Sequence, residues 1–151
     1  MTSNGWMPEK SPVYLIDTDV ISEVRKQGKA DAGVKRFFER INAEQTPVYL
    51  SVITIGELRR GIDLIRHRGD VQQAQQLETW LQKTLGEYAE NILPLDVDSA
   101  QIWGRLRVPH PENALDKQIA ATALTHDLTV VTRNVRHYHG TRVPVFNPFE
   151  A

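Results

Sequence analysis

Apolar residues recur along this chain in two alternating rhythms. Short, mostly apolar runs occur at "VYLI" (13–16), "TPVYLSVIT" (46–54), "NILPL" (91–95), "LTVVT" (128–132) and "VPVF" (143–146). Such runs, bounded by polar or turn-forming residues, predict strands, several of them apolar on both faces. Between them, apolar residues return every third or fourth position, the spacing of one helical face. In "DAGVKRFFERIN" they are Val34, Phe37, Phe38 and Ile41. From Asp70 to Glu90 they are Val71, Ala74, Leu77, Trp80, Leu81, Leu85 and Tyr88, which predicts one long amphipathic helix. Shorter helices are expected from Asp17 or Thr18 to about Lys26, from near Thr54, from Asp96 or Asp98 through Ile102, Trp103 and Leu106, and from Leu115 to His126. Strands alternating with helices predict an α/β domain with a mostly parallel central sheet. The strand order is not readable from this pattern.

That architecture gives the polar residues a shared place, because α/β sites collect beyond the carboxyl ends of the strands. Asp17 and Asp19, then Glu57, then Arg133 and Asn134 all follow a predicted strand, and Asp116 opens a helix. Composition changes the picture only at the margins. With 151 residues, 40% hydrophobic and 25% charged, the chain reads as one globular domain over 11–151. The opening "MTSNGWMPEK" lacks the basic-then-apolar pattern of a signal peptide and reads as a flexible leader over 1–10. No apolar run is long enough to cross a membrane. The absence of cysteine excludes disulfides and thiolate metal sites and fits a reducing cytoplasm. A net charge of −1 excludes a basic coat for nucleic acid, so a polyanion would have to be met by local Arg and Lys.

Each acid has an ordinary structural reading. Asp17 can cap a helix. Thr54-Ile55-Gly56-Glu57 matches a capping box, in which Glu57 reaches back to the cap N–H. Asp116 can favour the positive end of a helix dipole, and Asp98 suits a helix cap better than an outer place in a carboxylate cluster. Taken together at one sheet edge, the acids point to a different use. Carboxylates without Cys or a paired His at metal spacing suit hard cations, Mg²⁺ or Mn²⁺. Such an ion also explains why Asp17 and Asp19 stand side by side: it offsets their repulsion. His137 and His139 fall in a predicted loop before Gly140 and are expected to face solvent.

Four stretches in order, "YLIDTDVISEV", "SVITIGELRRGI", "ALDKQIAATALTHDLTVVTRNVRHY" and "VPVFNPFE", resemble the PIN-domain ribonucleases, in particular the VapC toxins and their FitB-like group. The resemblance runs from Val13 to Phe149. It implies a three-layer α/β/α fold, Mg²⁺ with Mn²⁺ as a substitute, and endonucleolytic cleavage of RNA. It makes Asp17 and Asp116 the metal ligands, Glu57 the acid completing the pocket, and Asn134 a fourth catalytic position at its edge. It also implies a homodimer held inactive by a cognate antitoxin encoded beside it. The chain departs from the pattern at His137, where many relatives carry Asp, and at Arg142, where many carry Gly. Arg59, Arg60, Arg133 and Arg136 are candidates to hold RNA phosphates, against the simpler reading of a solvated charged face. Two rivals share the strand-then-acid motif. A haloacid-dehalogenase-like phosphatase would use Asp17 as nucleophile, but Thr132 leaves no room for its later motifs. A receiver-like signalling module wants a Lys-Pro after the last strand, which "VPVFNPF" lacks.

Overall fold

Four strand pairings, all of them parallel, join five strands in the order β3-β2-β1-β4-β5. The computed structural model describes residues 11–149, so the leader expected over 1–10 lies outside the described residues. The strands are short: β1 Tyr14–Ile16, β2 Val48–Ser51, β3 Ile92–Leu93, β4 Thr129–Val131 and β5 Val145–Phe146. The helices are α1 Thr18–Val24, α2 Ala32–Glu44, α3 Val52–His67, α4 Val71–Glu87, α5 Val97–Leu106 and α6 Ala114–His126. "NILPL" contributes only two strand residues, because Pro94 has no N–H for a ladder bond. Among the described residues no helix is long and apolar enough to cross a membrane.

Neighbouring residues of a strand point to opposite faces, and this divides the core into two. Ile16, Leu50 and Val131 pack on one face with Val20, Phe37, Leu58, Ile62 and Leu81 of α1 to α4. Leu15 and Val130 pack on the other with Ile119, Ala120 and Ala123 of α6. The small alanines, fully buried, let α6 lie close against the sheet. The result is the expected α/β/α three-layer arrangement.

The long amphipathic helix predicted from Asp70 to Glu90 is α4, and it spends its apolar face inside the chain: Ala74 and Leu81 are buried, and Leu77, Trp80 and Leu85 pack against the same core as α3. Two expectations shift for local reasons. Helix α3 begins directly from β2, with Ser51 as its cap accepting from the Ile53 N–H at 3.0 Å. Thr54 therefore lies inside the first turn, and Glu57 is one turn too far along to close a capping box. The cap of α5 is Asp96, which accepts from the Ser99 N–H at 2.8 Å, while Asp98 sits exposed in the first turn.

Candidate active site

Both central strands, β1 and β2, pass into helices without an intervening loop. That junction places polar side chains at the sheet's carboxyl edge. Asp17 follows Ile16, continues the ladder through its N–H to the Val131 carbonyl at 2.9 Å, and caps α1 by accepting from the Thr18 N–H at 2.7 Å. Its other carboxylate oxygen accepts from the Tyr138 hydroxyl at 2.9 Å. Thr18 turns toward α3, where its hydroxyl donates to Glu57 Oε1 at 2.9 Å, with the Thr54 hydroxyl 3.2 Å away. Glu57 is thus held by the residue next to Asp17 rather than by its own helix end.

Asp19 sits in the first turn of α1. One of its oxygens, Oδ2, accepts from the Arg133 N–H at 3.0 Å. The other, Oδ1, is buried with no hydrogen-bond partner. Across the site, Asp116 Oδ2 lies 2.8 Å from His137 Nδ1. The imidazole donates here, since an ionised carboxylate only accepts. His137 is exposed, as expected, and the short 3-10 turn Val135–Tyr138 after β4 also sets its ring against Asp116. The same turn delivers Tyr138 to Asp17, so one segment positions both acids.

The electrostatics follow from burial and crowding. Burial pushes the Asp17 carboxyl above the ordinary range, against hydrogen bonds from Thr18, Thr132 and Tyr138, and the Asp116 charge pushes it further. Asp19 is pushed up to about 6, first by burial and then by the Asp17 charge. Glu57 is raised by burial and by the charges of Asp17 and Asp116. Burial, reinforced by Asp17, raises the Tyr138 phenol as well, so it remains a neutral donor. Four carboxylates therefore feel one another at a single spot, although they come from positions 17 to 116 of the chain.

Does this donor set fit a divalent cation? Among the described residues no group of three His, Asp or Glu forms a ready-made cage. Mg²⁺ does not require one, since it is held by one or two carboxylates and keeps several waters. The orphaned Asp19 oxygen and the mutually repelling acids are what a cation would satisfy. The residues fit.

The basic candidates separate. Arg59 is taken by Glu78 of α4 in a two-pronged pair, both contacts at 2.6 Å, and it holds the Glu78 carboxyl down at about 2. The pair has a simple cause: α3 and α4 pack side by side. Arg60 is exposed on α3. Arg133, Asn134 and Arg136 line an open groove of about 420 Å³ with Val135 and His137. Asn134 donates its backbone N–H to Thr132 Oγ1 at 3.0 Å and is exposed at the lip. Sequence reading gathered Asp19 with the other acids and marked His137 as a departure from the family pattern, but it left Thr18 and Tyr138 out of the site. Arg142, where relatives favour Gly, has φ 65°, the left-handed region that glycine enters at least cost.

The pattern that defines the PIN domain matches residues 14–142. The chain belongs to the PIN-domain family. It is 37% identical over 144 residues to Toxin FitB of Neisseria gonorrhoeae, covering 91% of this chain and 99% of that one. It is 29% identical over 146 residues to VapC ribonuclease Y4jK of Sinorhizobium fredii, covering 91% and 99%. The crystal structure of FitAcB from Neisseria gonorrhoeae superposes with a TM-score of 0.76 at 34% identity, covering 90% of this chain and 98% of that one.

Proposed function

We propose that the chain is a metal-dependent endoribonuclease, the toxin of a toxin–antitoxin pair. The observation that carries this reading is the convergence of Asp17, Asp19, Glu57 and Asp116 at the carboxyl edge of a parallel sheet, in a chain similar to a toxin and to a ribonuclease. Asp17 and Asp116 are the metal ligands in this reading. When bound, Mg²⁺ or Mn²⁺ supplies positive charge against the phosphate and makes a water more acidic. Tyr138 and the Thr18 N–H fix the two oxygens of Asp17, and His137 fixes Asp116. Glu57, with its raised affinity for a proton, takes the proton of the water that attacks phosphorus. The bond from phosphorus to the leaving ribose oxygen then breaks, and that oxygen takes up a proton. Arg133, Arg136 and Asn134 stand where the departing strand's phosphates would lie; Arg59 does not belong to this set.

The rivals lose ground on specific contacts. A receiver-like module needs a lysine at the acid pocket, and Lys117, adjacent to Asp116, is buried with its ammonium on the His110 carbonyl. The partner is a cognate antitoxin, and a second copy of the chain has exposed Val97, Val108 and Leu115 available on the α5–α6 side.

The test is direct. Purified protein, freed of any partner, should cut RNA with Mg²⁺ or Mn²⁺ and stop on addition of EDTA; undiminished cutting in EDTA would refute the metal-dependent reading. Co-expression with the gene beside it should restore growth and give a co-purifying complex.

Glu57→Gln isolates the proton acceptor. Because Ser51 caps α3, the substitution touches no cap, and the amide oxygen can still accept from Thr18. Melting temperature should stay within a degree or two, while RNA cleavage should fall on the order of a hundredfold. Wild-type cleavage by this variant would remove Glu57 from the chemistry.

A further inference from the structure

Beyond the acids, the same sheet edge carries a second chemistry. Register aligns Ile16, Val131 and Phe146 in one row across β1, β4 and β5. Strands stand about 4.8 Å apart, so Phe146 lies roughly 10 Å from the residue preceding Asp17. Phe146 is 37% exposed although it packs on Phe37, the ring centroids 5.6 Å apart. Arg40 of α2 bridges both rings, its guanidinium carbon 5.6 Å from the Phe37 centroid and 5.8 Å from that of Phe146. Arg133, whose backbone N–H holds Asp19, lies over the ring of Phe149 at 4.6 Å. A groove of about 370 Å³ runs past Gly33, Arg40, Phe146 and Pro148.

A partly exposed aromatic ring with a guanidinium against it, at the same carboxyl edge of the sheet as a carboxylate centre, is a pattern that holds an unpaired strand. Bases stack on the ring and phosphates meet the cations, and neither contact depends on sequence. A duplex offers no free base face there. The acids themselves repel phosphate, so a positive track beside them is what brings the polyanion in. We propose that Phe146 and Arg40, with Arg133 held in place by Phe149, form a subsite for single-stranded RNA extending from the acid centre along the β5 edge. This inference rests on reading the acid centre as a nuclease site, which it deepens by naming the residues that hold the strand.

The experiment measures binding of a short fluorescein-labelled single-stranded oligoribonucleotide to the full chain by anisotropy, in EDTA so that nothing is cut. The same strand annealed to its complement serves as the comparison. Phe146→Leu keeps apolar contact with Phe37 but loses the flat face, and should raise the Kd for the single strand about tenfold, the scale of one lost stack. Duplex binding should not change. Arg40→Gln should weaken single-strand binding severalfold and reduce the salt slope of log K by about one, the signature of one lost phosphate contact. In Mg²⁺, both variants should show a raised KM with kcat retained. Unchanged affinity in both variants, or equal losses on single strand and duplex, would overturn the subsite. So would a change in sedimentation without a change in RNA affinity, which would assign the face to a second copy of the chain. If Phe146→Leu proves less stable, Arg40→Gln decides through its salt slope. RNA binding that depends on Phe146 without metal-dependent cleavage would keep the subsite and refute the nuclease reading; cleavage unaffected by either variant would do the reverse.

Discussion

Asp17→Asn should lower RNA cleavage on the order of a thousandfold and, in the same protein, raise the melting temperature of the metal-free form by a few degrees. The two effects share one cause. Asp17 is buried with its carboxyl pushed upward, so holding it ionised at neutral pH costs stability, and its charge disfavours those of Asp19 and Glu57. Asparagine removes that charge and keeps the fold's contacts. It caps a helix as well as aspartate does, so the Thr18 N–H remains satisfied. The amide NH₂ then faces the Tyr138 oxygen, which can accept as well as donate. Relief of about 1 kcal/mol corresponds to 2–4 °C in a chain of this size. Activity moves the other way because a cation loses a ligand charge, and charge stabilisation by a metal is worth several kcal/mol, with tenfold in rate for each 1.36. Thermal melts in EDTA and cleavage assays in Mg²⁺ on the same preparation check both halves. A variant that cleaves like the wild type would reduce Asp17 to a helix cap.

The second large effect is a reversal in the pH dependence of stability when metal is added. Asp19 titrates near 6 in the folded protein against an ordinary value of 3.8. A raised carboxyl means the folded state holds the proton more tightly than the unfolded one. The associated stability is therefore fully present below about pH 3.8 and is lost as pH rises through about 6. Asp17 and Glu57 are shifted in the same direction. A shift of this size on Asp19 corresponds to about 1–2 kcal/mol once screening of a partly exposed group is allowed for. Metal-free protein should accordingly melt several degrees higher at pH 5 than at pH 7.5, and Asp19→Asn should flatten much of that difference. With saturating Mg²⁺ the slope should invert, because the ion binds the ionised acids and must displace their protons. Calorimetry at the two pH values, with and without Mg²⁺, measures it. A melting temperature that rises with pH in EDTA would mean the acids are not crowded as the structure places them.

The alternation of apolar runs with helical periodicity specified the layered α/β class from local information alone. A run such as "LTVV" has no face to leave in water, so it must lie between two layers wherever it falls in the sheet. Asp17 and Glu57 were legible for a similar reason: each lies shortly after such a run, and strand ends of parallel sheets share one edge. Asp116 opens a helix instead, and the four-motif resemblance is what made it a metal ligand.

Other features depended on which strands became neighbours. The order β3-β2-β1-β4-β5 sets Thr132 and Arg133 beside Asp17 and Asp19 and aligns Phe146 with Ile16. That order is settled by the packing of helices on both faces and by the pairing of β1 with β4, where Tyr14 meets Thr129 far along the chain, and no local pattern encodes it. Local geometry misled at one position. Glu57 matched a capping box, but the chain enters α3 at Ser51, three residues sooner, because β2 runs directly into the helix. His137 looked like a loop residue, and a single 3-10 turn carried it to Asp116 and its neighbour Tyr138 to Asp17. Burial of Tyr138 against Val130 and Val143 orients that turn. Periodicity dictates which face of each element is apolar; where two polar ends meet is set by long-range packing, because the hydrogen bonds between them form only after the core has brought them together.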